Sequence, residues 1–284
     1  MRWRVGAVLA VVVALLVVVG RFDSLVGRQH VSRLTVDGII FEDVKRDEAL
    51  EDVADDDSAR ALIVRINSPG GTVVGGEALY TRLRQVARNK PVVAVIGELG
   101  TSAAYMTALG CDRILAREGS LTGSIGVILQ ATDLTGLFDK VGIKPETVKS
   151  SPLKAQPNPF ETFTPEARAA TRDVVLNMYE MFVAMVGERR ELAGDRLKLV
   201  ADGRVFTGRQ AVQNNLIDGI GGEEEARLWL EEAHSVARDL PTHDVAIRVE
   251  SDSILDLVGG IIGKGYFREG LTLDGLVAIW QPGH

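Results

Sequence analysis

Apolar positions along this chain come in short unbroken runs separated by amphipathic stretches. Ala61-Leu62-Ile63-Val64-Arg65-Ile66 and Pro91-Val92-Val93-Ala94-Val95-Ile96 have strand length and almost no polar interruption, the pattern of strands buried on both faces. Leu34-Thr35-Val36 and Ile39-Ile40-Phe41 predict strand before them, and Arg113-Ile114-Leu115-Ala116 and Ser124 to Leu129 predict strand after them. Helical spacing fills the gaps: Val44, Ala49, Leu50 and Val53 mark one face of a helix over 43–53, and Leu79, Leu83 and Val86 one over 76–88. A further helix is predicted directly after Ser102. Strands alternating with helices indicate βαβ units, an α/β fold and a largely parallel sheet.

Beyond residue 136 the pattern loosens into a helix, a short strand over Glu146-Thr147-Val148 and a loop with Pro152, Pro157 and Pro159. Thr164-Pro165-Glu166 starts a long helix to about Leu192. Its apolar stripe (Val174, Val175, Met178, Met181, Phe182, Met185, Val186) reads as core or oligomer seam rather than a cofactor box. Shorter helices are predicted at about 195–200, 207–214 and 222–237. The stretch after Asp244 alternates apolar and Gly-rich segments.

The N-terminal residues form a separate unit. Arg2 and Arg4 precede an uncharged apolar stretch from Val5 to Gly20, ended by Arg21. At ~1.5 Å per residue it falls slightly short of a roughly 30 Å hydrocarbon core. Trp3, Phe22 and the arginines extend it to the interfaces. A cleaved signal peptide is the rival reading; Val17-Val18-Val19-Gly20 lacks an Ala-x-Ala site, which favours an uncleaved anchor. The basic N-terminus predicts a cytoplasmic start, with the remainder of a single-pass cell-membrane protein on the extracytoplasmic side. The expected division is an anchor over 1–26, a catalytic domain over 27–240 and a tail over 241–284 that could serve assembly or contact a membrane surface.

Composition narrows the chemistry. The 284 residues are 46% hydrophobic, enough for a large core. A net charge of −7 with no basic stripe argues against nucleic acid as a partner. The acidic run from Asp47 to Asp57 lacks the spaced oxygen ligands of a calcium loop and reads as a solvated face. One cysteine, Cys111, excludes an intrachain disulfide and reads as an inert buried thiol. With four scattered histidines no zinc spacing exists, so neither metal nor organic cofactor is expected.

Three local constellations remain. Asn67-Ser68-Pro69-Gly70-Gly71-Thr72 directly follows a strand, and its glycines predict a tight turn whose amides can approach a ligand. Gly100-Thr101-Ser102-Ala103-Ala104 sets a serine among small residues at a strand-to-helix junction. There the next N–H, at the helix start, can meet charge developing on a carbonyl oxygen. Leu121-Thr122-Gly123-Ser124-Ile125-Gly126-Val127 is a Gly-containing strand entry. A serine needs a base to become a nucleophile, and a lysine can serve if burial disfavours its ammonium form. Lys154 is the candidate. His30, near the N-terminal apolar stretch, is a poor one.

The run Arg65 to Gly71 resembles the glycine turn of the Clp-protease/crotonase superfamily. Together with Thr122 to Val127, and with Val205-Phe206-Thr207-Gly208-Arg209-Gln210-Ala211 and Asn215 to Gly222, the chain is similar to the signal peptide peptidase A family of membrane-anchored serine peptidases. The resemblance covers about Val31 to Ala233. It implies repeated ββα units behind one transmembrane helix, with Ser102 as nucleophile and Lys154 as general base. Lys149 is the fallback base. The resemblance further gives oxyanion-hole amides to Gly71 and Ala103, with Gly70 second to Gly71. Where the family usually reads Ala-Ser-Gly-Gly-Tyr, this chain reads Thr101-Ser102-Ala103-Ala104-Tyr105, and two added methyl groups predict a narrower site. The family also implies a homo-oligomer in which Ser102 and Lys154 of one site come from neighbouring subunits. It implies remnant signal peptides or other apolar peptides as substrates of a serine endopeptidase. Two alternatives share the fold: a Clp-class peptidase specific for a membrane protein, and a catalytically silent membrane scaffold.

Overall fold

A computed structural model describes residues 29–247 and 277–279. The anchor expected over 1–26 lies outside them, and no helix among the described residues is long and apolar enough to cross a membrane.

The sheet is built around two long strands. β1 (His30–Ile40) and β2 (Ala59–Thr72) run parallel, joined by α1 (Val44–Asp55). α2 (Val73–Val86) leads to β3 (Val92–Thr101), which is parallel to β2 on its other side, with Leu62 opposite Val92 and Ile66 opposite Ile96. α3 (Ala103–Ala108) follows at once. β3 then forks: residues 93–96 pair with β4 (Arg113–Ala116), and residues 99–101 pair with β5 (Leu121–Gly123), both in parallel. β6 (Val205–Thr207) closes the β5 edge in antiparallel sense, and β7 (Gly219–Ile220) pairs with β4.

Period-two alternation gives each face of β2 its own core. Leu62, Val64 and Ile66 join one buried cluster with Leu50, Leu79, Leu83, Tyr105, Met106 and Phe182, under α1, α2, α3 and the long α5 (Pro165–Arg190). Ala61 and Ile63 point the other way with Val31, Val93, Val95 and Leu115, against Ala226 and Leu230 of α8 (Glu223–His234). The remaining helices are short: α4 (Thr135–Val141), α6 (Gly194–Val200) and α7 (Gly208–Gln213).

Several expectations are corrected. The two short strands expected at 34–36 and 39–41 are one strand, carried past Gly38 (φ +68°) by a register shift between Asp37 and Ile39. Among the described residues the order is strand–helix–strand through α3, and two successive strands precede a helix at β4, β5 and α4. Asn67 to Thr72 is not a turn. β2 continues through Pro69 and both glycines with an irregularity after Ile66. The strand expected over 124–129 ends at Gly123 instead, because Gly123 (φ +81°) and Ser124 (φ +52°) are consecutively left-handed. No strand forms at 146–148. Asp47 leaves the expected solvated face: its side chain is largely buried, 3.6 Å from Arg82, and burial raises its carboxyl above the usual range.

The sheet also extends beyond residue 240. β8 (Thr242–Asp244) adds to β1 in parallel, and β9 (Val277–Ile279) pairs antiparallel with β2 at Gly70–Thr72.

Candidate active site

Ser102 is the residue on which β3 turns into α3. Its backbone adopts φ 57°, ψ −119°, outside the regions open to an L-residue without strain, at a cost of order 1–3 kcal/mol. The surroundings hold it there. Its N–H donates to the Gly123 carbonyl at 2.8 Å, and its own carbonyl accepts from Met106 N–H at 2.9 Å. Its side chain makes no capping hydrogen bond. Ala103 N–H, the first of the helix, has no carbonyl four residues back inside the helix to bond.

The three sequence constellations meet around this turn. Thr101 Oγ1 donates to Pro69 O at 3.0 Å, tying the serine turn to the glycine segment. Thr122 Oγ1 donates to Gly100 O at 2.8 Å, tying it to β5. Ser68 faces Gly100 across the β2–β3 ladder, and Ser68 Oγ accepts from Gly70 N at 3.1 Å. The glycines have definite reasons. A Cβ on Gly71 would run into the Ile40 carbonyl of β1, and Gly70 holds φ +115°. Thr101 and Thr122, fully buried, were not singled out from sequence beyond their place in the motifs. A small hydroxylated residue on each side of a glycine strand end was the signal available.

Ala103 and Ala104 are fully buried. A Cβ built on Gly76 of α2 would lie 3.0 Å from the Ala103 Cβ, so the added methyl of Ala103 packs towards α2 and a glycine makes room for it. The later motif braces the site from behind. Phe206 pairs with Thr122 through β6, Tyr105 Oη donates to Leu216 O at 2.7 Å, and Asp218 accepts from Ile114 N at 2.7 Å. Burial pushes the Tyr105 phenol well above its ordinary range and keeps it a neutral donor.

Lys154 makes no hydrogen bond to this turn among the described residues. It sits exposed in the loop between α4 and α5, its N–H donating to Ser151 O at 3.2 Å, and its ammonium makes no hydrogen bond or ion pair among the described residues. Ser102, by contrast, is almost fully buried. Lys149 is engaged in an ion pair with Glu161, which also accepts from Gln156 Nε2 at 2.7 Å. The Lys149 hydrogen bond leads the groups that hold the Glu161 carboxyl below the usual range. His30 stacks on His243 at 4.2 Å, with its Nε2 3.2 Å from Ser32 Oγ. No metal-binding cluster of His, Cys, Asp or Glu occurs among the described residues.

A strained, buried serine beside a glycine-walled strand end, with helix-start amides next to it, is an arrangement compatible with nucleophilic hydrolysis. Comparison with known proteins agrees. The profile of "Peptidase family S49" matches residues 84–237, and the chain belongs to that family of serine peptidases. A protein of Synechocystis sp. provisionally named as a protease is 39% identical over 204 residues, covering 71% of this chain and 73% of the relative. One of Enterococcus faecium, provisionally named signal peptide peptidase SppA, is 31% identical over 178 residues, 62% of this chain and 52% of its own length. The chain thus spans about half of that second relative. Among solved structures, a lysine-to-alanine mutant of a membrane-bound stomatin-specific protease, in complex with a substrate peptide, matches with a TM-score of 0.48. It shares 15% identity and covers 83% of this chain and 98% of that one.

Proposed function

We propose that this serine peptidase is a membrane-anchored endopeptidase that cleaves remnant signal peptides or other apolar peptides through a Ser102 acyl-enzyme. Lys154 of a neighbouring subunit serves as general base. The observation that carries this reading is the exposure of Lys154 against the burial of Ser102 within one chain. Around Lys154 the segment 128–160 presents Ile128, Leu137, Val141, Ile143, Val148, Leu153 and Phe160 to solvent. Exposed apolar side chains at this density mark a surface that another protein covers. A second copy packed there would bury Lys154 and supply the desolvation that a neutral lysine base requires. Lys149, already paired with Glu161, is the poorer base.

In the proposed cycle neutral Lys154 takes the Ser102 proton and the alkoxide attacks the scissile carbonyl. The N–H groups of Gly71 and Ala103 stabilise the oxyanion. Lys154 then protonates the leaving amine, and activates the water that releases the acyl group. Membrane placement rests on the apolar stretch from Val5 to Gly20. It suits substrates left in or near the bilayer.

The test is hydrolysis of an apolar fluorogenic peptide by the full chain in detergent. Ser102→Ala and Lys154→Ala should each lose at least ~1,000-fold in kcat. Co-assembling the two inactive variants should restore part of the activity, because some sites then receive an intact serine from one chain and an intact lysine from the other. No recovery from a confirmed mixed assembly would place both groups in one chain. A folded, assembled wild type that neither hydrolyses the peptide nor labels at Ser102 with a fluorophosphonate would point to the silent scaffold.

A further inference from the structure

Glycine leaves the backbone free to rotate, so a donor formed by a glycine N–H needs something else to aim it. Gly70 has φ +115°, a conformation that its own sterics do not hold. Two fully buried hydroxyls hold it instead. Ser68 Oγ accepts from Gly70 N at 3.1 Å and donates to Gly70 O at 3.3 Å, while Thr101 Oγ1 donates to Pro69 O at 3.0 Å. The peptide unit between Pro69 and Gly70 is thus held at both poles, its carbonyl by Thr101 and its N–H by Ser68. The next unit is held by Ser68 at the Gly70 carbonyl. Because the unit is planar, this fixes the line of the Gly71 N–H at its other end.

Thr101 is the last residue of β3 and stands directly before Ser102. The backbone ladder between β2 and β3 reaches Ser68 opposite Gly100. One residue further on, the Thr101 hydroxyl continues the connection through a side chain. It links the strand end that carries the nucleophile to the segment that carries Gly71. The Gly71 N–H belongs to β2 and the Ala103 N–H to α3. A hydrogen bond between these two parts of the fold, beside both donors, governs the gap between them. The alanine usual at this position in the family resembled cannot make the bond, so the device belongs to this chain.

We propose that Thr101 is a positioning residue of the oxyanion hole: its hydroxyl, with Ser68 as the second hold on the glycine pair, sets the spacing between the Gly71 and Ala103 N–H groups. The inference deepens the proposed peptidase reading and rests on it. Thr101 touches no reacting atom. Its effect falls on the charge that develops as the scissile carbonyl oxygen becomes an oxyanion, because donors aimed at that position act mainly in the transition state. Removing the hydroxyl leaves the Pro69 carbonyl without this donor and lets the glycine peptides turn. Turnover then suffers, and substrate binding does not.

Thr101→Val keeps the shape of the side chain and removes the O–H, whereas Thr101→Ser keeps the O–H and removes the methyl. In the full chain in detergent, Thr101→Val should lower kcat for the fluorogenic peptide by about 10- to 100-fold, with KM little changed. Thr101→Ser should keep most of the wild-type kcat. An apolar peptide aldehyde gives a second readout. Ser102 Oγ adds to its carbonyl carbon, the π pair moves onto the oxygen in the hole, and the serine proton passes to the general base. Inhibition by the aldehyde should weaken in Thr101→Val by the same factor as kcat. Binding of an uncleaved fluorescein-labelled apolar peptide in a Ser102→Ala background, followed by anisotropy, should stay the same. If Thr101→Val does not fold, Thr101→Ala takes its place. A variant that loses thermal stability alone, or raises KM while keeping kcat and aldehyde affinity, would overturn the inference and leave the peptidase reading standing. Equal losses in Thr101→Ser and Thr101→Val would overturn it too, by assigning the effect to the methyl. A wild type that neither hydrolyses the peptide nor takes up the aldehyde removes the reading and the inference with it.

Discussion

At the scale of single residues, the alanine that follows Ser102, where the family resembled usually has glycine, is matched by a glycine on the neighbouring helix. The methyl of Ala103 points at Gly76, and Met106 Sδ would lie 3.1 Å from a Cβ placed there. Gly76→Ala should therefore crowd α2 against α3 and destabilise by about 1–3 kcal/mol. Ala103→Gly in the same chain should recover most of that loss, since it vacates the same space. Chemical denaturation of the two single variants and the double variant measures the coupling; independent, additive effects would show that the two positions do not share a cavity. Nothing in the sequence paired residue 76 with residue 103, because the pairing depends on how two helices cross. Ser102 was legible for the opposite reason. Its signal is local: an apolar strand, one small polar residue, then a helix. Lys154 had no local signal at all, being a lysine in a proline-rich loop, and only the order of motifs across the chain singled it out.

At the scale of elements, the later motif acts by holding α3 in place. Tyr105 Oη reaches the Leu216 carbonyl across a fully buried contact, and removing it leaves that carbonyl unpaired. Tyr105→Phe should cost about 1–3 kcal/mol and lower kcat by loosening the turn at Ser102, with KM little changed. Thermal denaturation and kinetics together check this, and an undisturbed kcat would separate α3 stability from catalysis. The alternation of strand and helix from residue 30 to 116 was readable from apolar runs. The continuity of β2 through Pro69-Gly70-Gly71 was not, because proline and glycine favour turns locally. Here Gly71 is demanded by the closeness of β1, so tertiary packing overrides local preference. The strand expected at 124–129 failed for a related reason: two successive left-handed residues carry the chain out of the sheet, although its apolar residues Ile125 and Val127 are still buried.

At the scale of the whole molecule, the segment 128–160 contributes little to the core of its own chain. Val148 is fully exposed and Phe160 half exposed. Val148→Asp combined with Phe160→Asp should change the stability of a single chain by no more than about 0.5 kcal/mol, yet break the proposed assembly and with it the proposed activity. Sedimentation and peptide hydrolysis on the same sample test both halves. Full activity from a dispersed variant would show that the catalytic groups need no neighbour. A carboxylate at these positions is costly when buried unpaired at an interface and harmless in water.

The forked strand β3 has a consequence of its own. Its first half, residues 93–96, is locked to β4, while residues 99–101 are locked to β5. Gly97 and Glu98 are the only residues between the two grips, so the strand works as a ruler with a fixed gap. Removing one of them would draw Ser102 back by ~3.3 Å and turn it to the opposite face of the sheet. Loops beyond the two grips leave this distance untouched, whereas the count from Val93 to Ser102 is an integer that admits no intermediate value.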